Sequence, residues 1–576
     1  MELRYMKKTR LESRTSRVEA PFLRVGKKQL SRGYIVIHVL FQLRDKDLDR
    51  NKLDELCGLA LQRIEESRYD EALGLARQIQ SLGPHYYVSY LLSGLLIDIG
   101  NGLKRTEIIE EGRQLLQKDF EAISEHIELA PTSNYNLANA NLFIFDLEMT
   151  KDPSLVLFSE TKLDSAKFHY QKALAYEPKD QMLVAQILVN LGNCFDNLGR
   201  VIDALECYDQ SLRLKPDFGM ALGNKGKALF NYAFLCGDHQ GTYTLEAYSL
   251  LNSAKNSGIY TEAAAGFSYY VKLIEEEYSN KLPLKNPPKY PGYKIKTRSK
   301  FEKFLVEFCL HNELYLNICA FCQKCDAAIG DTVTIKTMIV PAKDPSYLIL
   351  SAYLNQIKQD YITARFLLIL SRYEELNLNF VDKRVTIINT LDSSIHNIYI
   401  QLAKTSFKTF YDILDKIAFL INDYLKLGIP EREIDFTKLW YADKKKTVRS
   451  KITNTKNLSL NALFDIHRDL DYGVYRQLKD TRNALTHRFV NIRIIQESED
   501  DKNMTEETLV DRTLKLAKIV SNSIIYLLHF VYVEEGKKTK IHGKTVPILA
   551  QAVPDKMKNT RKQSLKPKKS KKHQTT

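Results

Sequence analysis

Three segments in the first half of the chain share one spacing of small residues, larger residues and proline. They occupy residues 70–84, 164–178 and 202–216. The marked positions lie four, three and five residues apart, as in Ala204, Tyr208, Ser211 and Pro216. Steps of four and three place side chains on one face of a helix, and proline ends a helix. The pattern predicts recurring helical hairpins packed through small residues.

The third copy also has a predicted helix in front of it, at residues 188–200, with Leu191, Gly192 and Phe195 inside it and Gly199 in the following turn. This unit resembles the tetratricopeptide repeat, a helical hairpin with a period of about 34 residues. The last two copies are offset by 38 residues, which implies a short insertion. Residues 50–275 are therefore predicted to form a solenoid of four to six repeats, whose concave face binds a protein partner. Generic helical hairpins remain the alternative.

The basic charge of the chain belongs to its two ends. The net charge is +14, yet residues 1–33 hold ten Lys/Arg against three Glu, and residues 556–572 hold nine Lys/Arg and no acid. Such basic arms attract phosphate backbones without reading sequence, although a purely solubilising role fits equally well. We predict a basic N-terminal segment at 1–49 and a disordered basic tail at 541–576. No stretch reaches about 18 consecutive apolar residues, so we expect no membrane contact and a cytoplasmic location.

A proline-rich stretch separates the repeats from a second helical region. Four prolines between residues 283 and 291, followed by Gly292, exclude a regular helix, so residues 276–299 are predicted to be a linker. Long apolar patterns of helical period then follow at 346–369, 407–427 and 506–532. Residues 300–540 are therefore predicted to form a helical bundle, and the whole chain to be all-α.

The segment "RNALTH", Arg482 to His487, lies between the last two of these helical patterns. An arginine five residues before a histidine occurs about once by chance in a chain of this composition. Here it resembles the R-N-x-x-x-H motif of the HEPN superfamily. The segments "FCLHNELYLN", "NQIKQDYITARFLLILSRYE" and "KTSFKTFYDILDKIAFLINDYLKLGI" precede it in the order seen in one HEPN family whose members carry tetratricopeptide repeats in front. The resemblance covers about residues 300–535.

The resemblance implies a metal-independent endoribonuclease that works as a homodimer through the HEPN domain, with RNA as substrate. Arg482 and His487 are then the catalytic pair, with Asn483 capping the helix or orienting the pair and Arg488 binding RNA. Neither a metal nor another cofactor is expected. Five residues of a regular helix leave Arg482 and His487 about 140° apart. Either the motif therefore sits at an irregular helix start, or two chains share one site.

Other interpretations remain open at this stage. Arg482 could pair with Asp480, and His487 could be an ordinary surface residue. The protein could be an inactive HEPN and repeat adaptor that binds protein or RNA, or an active nuclease in phage defence or a toxin-like role. The sequence contains no P-loop, G-x-S-x-G or H-E-x-x-H run.

Cys319, Cys322 and Cys325 form a C-x-x-C-x-x-C run. Such a run can bind zinc or an iron–sulfur cluster, but a structural zinc site commonly uses two separated ligand pairs, and no second C-x-x-C is present. We interpret the three cysteines as buried thiols, with a metal-dependent enzyme as the weaker alternative.

Overall fold

The computed structural model describes residues 49–151, 157–159, 162–289, 292–319, 321, 325–335, 337–341, 345–389, 391–444, 446–494, 503–538, 545–549, 553 and 558. Of the two predicted basic segments, 1–49 and 541–576, only residues 49, 545–549, 553 and 558 are among the described residues. Nineteen α-helices and four short strands form the described part of the fold. The predicted all-α class is confirmed.

Twelve helices form the repeat region. They are α1 Arg50–Glu65, α2 Tyr69–Gln80, α3 Tyr86–Leu103, α4 Thr106–Lys118, α5 Phe120–Ser124, α6 Ala130–Lys151, α7 Lys162–Ala175, α8 Gln181–Asn197, α9 Val201–Leu214, α10 Gly219–Ala233, α11 Gln240–Lys255 and α12 Thr261–Tyr278. Five hairpins pair α1 with α2, α3 with α4, α6 with α7, α8 with α9 and α10 with α11. Ala72, Ala166 and Ala204 are completely buried. A Cβ on Gly192 would lie 2.5 Å from Cε1 of Tyr208. Small residues at these positions therefore let the paired helices approach closely.

A repeating set of hydrogen bonds joins successive hairpins. Tyr170 donates to Asn139 Oδ1 within one hairpin, and Tyr208 donates to Asn193 Oδ1 in the same way within the next. Asn190 Nδ2 then donates to Asn139 Oδ1, and Asn224 Nδ2 to Asn193 Oδ1, both at 3.0 Å. The same asparagine oxygen thus fixes both the tyrosine of its own hairpin and the helix of the next. These bonds fix the stacking of the hairpins, since a buried amide without a partner is costly.

The second region consists of seven helices and the four strands. The helices are α13 Lys300–His311, α14 Ser346–Arg372, α15 Ile398–Tyr424, α16 Ser450–Thr453, α17 Leu458–Asp471, α18 Arg476–His487 and α19 Glu506–Lys538. Strand β1 Thr337–Pro341 pairs antiparallel with β4 Thr545–Leu549, and β2 Asn491–Arg493 pairs parallel with β3 Asn503–Thr505. The three long predicted helices are confirmed as α14, α15 and α19. On α15 the predicted apolar face is buried, with Phe407, Phe410 and Ile417 at 0% exposure.

Helix α19 is long and apolar enough to span a membrane by length and composition. In the fold, however, 83% of its most apolar window is buried. Its side chains pack against α15 and α17. Packing in the protein core therefore accounts for the apolar composition of α19.

The repeat region and the bundle share one continuous core, which runs from Ala138 to Val531. Helix α17 lies against the turn between α8 and α9. Gly199 in that turn has φ +83°, and a Cβ there would lie 2.2 Å from the backbone oxygen of Leu458. Tyr526 of α19 donates to Asp203 Oδ2 at 2.7 Å and accepts from the backbone N–H of Ile202. The repeats therefore pack directly against helices α17 and α19 of the bundle.

Five charged side chains lie buried at this junction. Lys167 of α7 and Arg200, which precedes α9, meet Asp465, Arg468 and Asp469 of α17. Lys167 Nζ lies 2.6 and 2.7 Å from the two oxygens of Asp465. Arg200 Nη1 donates to Asp469 Oδ2 at 2.6 Å. We call these five residues the junction ion network.

Candidate active site

Helix α18 carries the R-N-x-x-x-H motif in its last two turns. One face of the helix is buried through Leu478, Thr481 and Ala484. Thr481 Oγ1 accepts a 2.9 Å hydrogen bond from Arg512 of α19. This face fixes α18 to the bundle, and the side chains of the motif on its other faces are left at or near the surface.

His487 is the last residue of α18 and is exposed. The N–H of Arg488 still bonds to Ala484, and the chain then becomes extended toward β2. Strand β2 buries Ile492, whose carbonyl accepts from Ile395 N at 2.6 Å. The histidine therefore stands where a fixed helix passes into a fixed strand, with its imidazole open to a ligand.

Arg482 is half-buried against α15. Its guanidinium lies over the ring of Tyr411 at 5.5 Å, and Nη1 donates to Asn483 Oδ1 at 3.3 Å. Its Nε is buried and has no hydrogen-bond partner among the described residues. Among the described residues, no carboxylate lies within ion-pair distance of Arg482.

Among the described residues, the fully buried arginines are neutralised. Arg200, Arg365 and Arg468 each bind carboxylates at 2.9 Å or less. Arg482 thus keeps a positive charge that the fold does not pair. An arginine with unused donors can bind phosphate oxygens through two parallel hydrogen bonds.

The charge of Arg482 lowers the pKa of two carboxylates on α15. Burial raises the pKa of Asp412 and of Asp415, and Arg482 acts in the opposite direction on both. The sequence interpretation missed Asp412, Asp415 and Tyr411. A weak signal was present, since two acids stand three residues apart in the middle of α15.

Several details of the motif differ from expectation. The motif ends a regular helix, so the alternative of an irregular helix start is wrong. Asn483 does not cap α18, because it lies inside the helix and Tyr475 precedes the first turn. Asp480 does not pair with Arg482, since its neighbour is Arg476 at 3.7 Å. Asn483 instead holds the Arg482 guanidinium, which agrees with the orienting role.

Among the described residues, no hydrogen bond or ring contact joins Arg482 to His487. Arg482 lies against Tyr411, whereas His487 is exposed at the end of the helix. Arg488 is also exposed and close in sequence to the histidine.

Exposed apolar side chains lie on the segment after the motif and on a second segment bonded to it, and we call them together the exposed apolar patch. It comprises Phe380, Val385, Ile388, Leu391, Phe489 and Ile494. Leu391 is 88% exposed and Phe489 is 95% exposed. The two segments that carry the patch are joined by a backbone hydrogen bond from Ile494 to Ser393 and by the ion pair of Arg493 with Asp392 at 3.4 Å. Exposed apolar side chains on joined segments are a common feature of surfaces that bind another molecule.

Comparisons with known proteins agree with this architecture. The family model described as LA2681-like HEPN matches residues 342–534, which include α14 to α18, most of α19 and the motif. The tetratricopeptide repeat model matches residues 185–218, which correspond to α8, α9 and the turn after them. A search of curated proteins finds no match. The chain therefore contains a HEPN-family domain with a tetratricopeptide repeat on its N-terminal side.

Proposed function

We propose that this protein is a metal-independent endoribonuclease whose active site forms between two copies of the HEPN domain. The observation that carries the proposal is the unpaired charge of Arg482, five residues before the exposed His487 at the end of a well-anchored helix. RNA carries its own nucleophile, the 2′-hydroxyl group. Cleavage then requires only a proton acceptor, a proton donor and a positive charge at the phosphate.

The side chains present can supply each of these requirements. An imidazole exchanges protons near neutral pH, so His487 serves as base or acid. Arg482 stabilises the negative charge that builds up on the phosphate oxygens. Asn483 and Tyr411 hold the guanidinium in place before RNA arrives. Arg488 adds a positive charge for the RNA backbone.

Two chains are needed to bring the groups to one phosphate. The side chains of Arg482 and His487 project about 140° apart from one helix. A second copy that covers the exposed apolar patch would bring its own motif toward the first. The position of the patch, on the segment that directly follows His487, supports this arrangement.

Cleavage of RNA in excess EDTA tests the proposed activity. We expect the full-length protein to cut single-stranded RNA under these conditions and to leave 2′,3′-cyclic phosphate ends, because the 2′-hydroxyl is the nucleophile. Arg482→Ala and His487→Ala should lose this activity. Circular dichroism in the same buffer shows that each protein stays folded.

Two matched controls separate the motif from its surroundings. Arg476→Ala removes an exposed arginine from the first turn of the same helix, and His311→Ala removes an exposed histidine from the end of α13. Both variants should cleave as the wild type does. Equal cleavage by wild type and His487→Ala would exclude His487 as the catalytic group.

The exposed apolar patch yields a second expected result. Leu391→Asp and Phe489→Asp should convert a dimer into a monomer and lower the cleavage rate in parallel, because a charge in a buried interface is costly. Light scattering coupled to size exclusion measures the mass. Ile127→Asp, at a 72% exposed position in the repeats, is the matched control and should change neither property. A dimer that persists in both patch variants would place the dimer contact elsewhere.

The repeat region suits a protein partner. Helices α3, α6, α8 and α10 line a groove of about 790 Å³ with amide, acidic and basic side chains, among them Asn136, Asp146, Asn190 and Lys104. We propose that a partner bound here controls a cytoplasmic nuclease of defence or toxin type. An inactive adaptor remains the second candidate. The same groove favours it, and RNA cleavage in EDTA decides between the two.

A further inference from the structure

Three metal-binding side chains meet where the repeats join the bundle. His239 ends a 3-10 turn, Gly237–His239, between α10 and α11. Cys319 and Cys325 lie in the loop that follows α13. His239 Nε2 is 2.8 Å from Cys319 Sγ and 3.3 Å from Cys325 Sγ, and the two sulfurs are 3.3 Å apart. His239 thus meets two cysteines that lie 80 and 86 positions further along the sequence.

The distances fit ligands of a small tetrahedral metal ion. Zinc lies about 2.3 Å from thiolate sulfur and about 2.0–2.1 Å from histidine nitrogen, so its ligand atoms stand about 3.5–3.8 Å apart. Each separation observed here needs to grow by less than about 1 Å to reach that range. Cys319 is completely buried, and His239 and Cys325 are half-buried. Two thiols and one imidazole are ligand types of structural zinc sites, and these three side chains would supply three of the four positions.

The loop that carries both cysteines is fixed independently of any metal. Asn317 Oδ1 accepts from the backbone N–H of Cys319 at 2.9 Å. Its Nδ2 donates to the carbonyls of Ala328 and Gly330, both at 3.1 Å. Tyr243 of α11 donates to the carbonyl of Ile318. The two thiols are therefore held opposite His239 by the protein itself, which lowers the cost of ordering a site.

We propose that His239, Cys319 and Cys325 bind one Zn²⁺ ion that clasps the repeat region to the HEPN domain. Two thiolates and one imidazole are the ligand types that select zinc over magnesium or calcium. A tetrahedral site takes a fourth ligand, and among the described residues the group contains no fourth His, Cys, Asp or Glu. Cys322 lies outside the described residues, and the site is proposed on the other three side chains. The sequence interpretation treated these cysteines as buried thiols, because His239 lies far from the cysteine run.

Zinc content of the full-length protein tests the site. The protein is purified without chelator from zinc-supplemented medium and measured by elemental analysis. Wild type is expected to hold about one zinc per chain, and His239→Ala, Cys319→Ala and Cys325→Ala to hold about tenfold less. Cys309→Ala is the matched control, because Cys309 is buried at 0% exposure but lies outside the cluster. It should keep its zinc.

A second measurement covers variants that fold poorly. Removal of zinc from the wild type with the chelator TPEN should lower its thermal midpoint, and added ZnCl₂ should restore it. Co²⁺ in place of zinc should show thiolate-to-metal absorption that is lost in Cys319→Ala.

Three results would overturn the site. They are a reduced wild type that neither contains zinc nor takes up added ZnCl₂, unchanged zinc content in all three ligand variants, and a Cys319–Cys325 disulfide found by mass spectrometry. A wild type that neither holds nor takes up zinc but still cleaves RNA would overturn this site and leave the ribonuclease proposal standing.

Discussion

Replacement of Asp465 by asparagine is expected to lower the free energy of unfolding by about 3–5 kcal/mol. Asp465 is completely buried and is the shared acceptor of the junction ion network. It accepts from Lys167 at 2.6 and 2.7 Å, from Arg468 at 2.9 Å and from Arg200 at 3.1 Å. The amide keeps the shape of the carboxylate but removes its charge, so three buried cations lose their common partner.

The carboxylate is charged across the ordinary pH range. Burial alone would raise its pKa, but Lys167, Arg468 and Arg200 outweigh burial and hold the pKa of Asp465 well below its usual value of 3.8. A lowered pKa in the folded state stabilises the fold at pH values above the unfolded pKa. The contribution of Asp465 is therefore complete above about pH 5 and is lost as the pH falls through the lowered pKa.

Urea unfolding at pH 7 measures this effect. Asp480→Asn is the matched control, because its ion pair with Arg476 is exposed and 3.7 Å long. That change should stay within about 0.5 kcal/mol of wild type. A loss below about 1 kcal/mol in Asp465→Asn would show that the network does not hold the junction.

The junction also shows where sequence reasoning stops. The repeats were predictable because sequence spacings of four and three residues indicate which side chains of a helix face its partner helix. The long helices α14, α15 and α19 were predictable for the same reason. The contact of Lys167 with Asp465 joins residues 298 positions apart. No local spacing encodes such a contact, so the repeat region and the bundle looked like separate units joined by a linker.

Only part of the candidate site was likewise predictable from the sequence. Arg482 and His487 were found because they belong to one short segment. Tyr411 and Asp415 lie on the neighbouring helix α15, about 70 residues upstream of Arg482 in sequence. The apolar pattern of α15 indicates only its core-facing side chains. His239 had no signal in the cysteine run at all. Contacts between residues on different elements can be identified only from the packed structure.

A mixture of two inactive variants is expected to regain activity if the active site is shared between chains. Arg482→Ala and His487→Ala should each lower RNA cleavage by about 10²–10⁴-fold. A heterodimer of the two contains one intact Arg482 and one intact His487 on different protomers. Because the two side chains diverge on a single α18, the proposal requires that groups from different protomers meet at one phosphate. Subunit exchange should then raise the rate by about tenfold or more above that of either variant.

The rate of cleavage in EDTA is measured after the two variants have exchanged subunits. A mixture of Arg482→Ala with the double variant Arg482→Ala/His487→Ala is the first control, since no dimer in it contains an intact Arg482. The second control places Leu391→Asp in both partners, which removes the dimer contact and should abolish the recovery. Heterodimers that form without recovering activity would show that each motif works within its own chain. The half-buried, unpaired Arg482 and the exposed His487 favour the shared site, because each one presents a group that its own chain leaves unused.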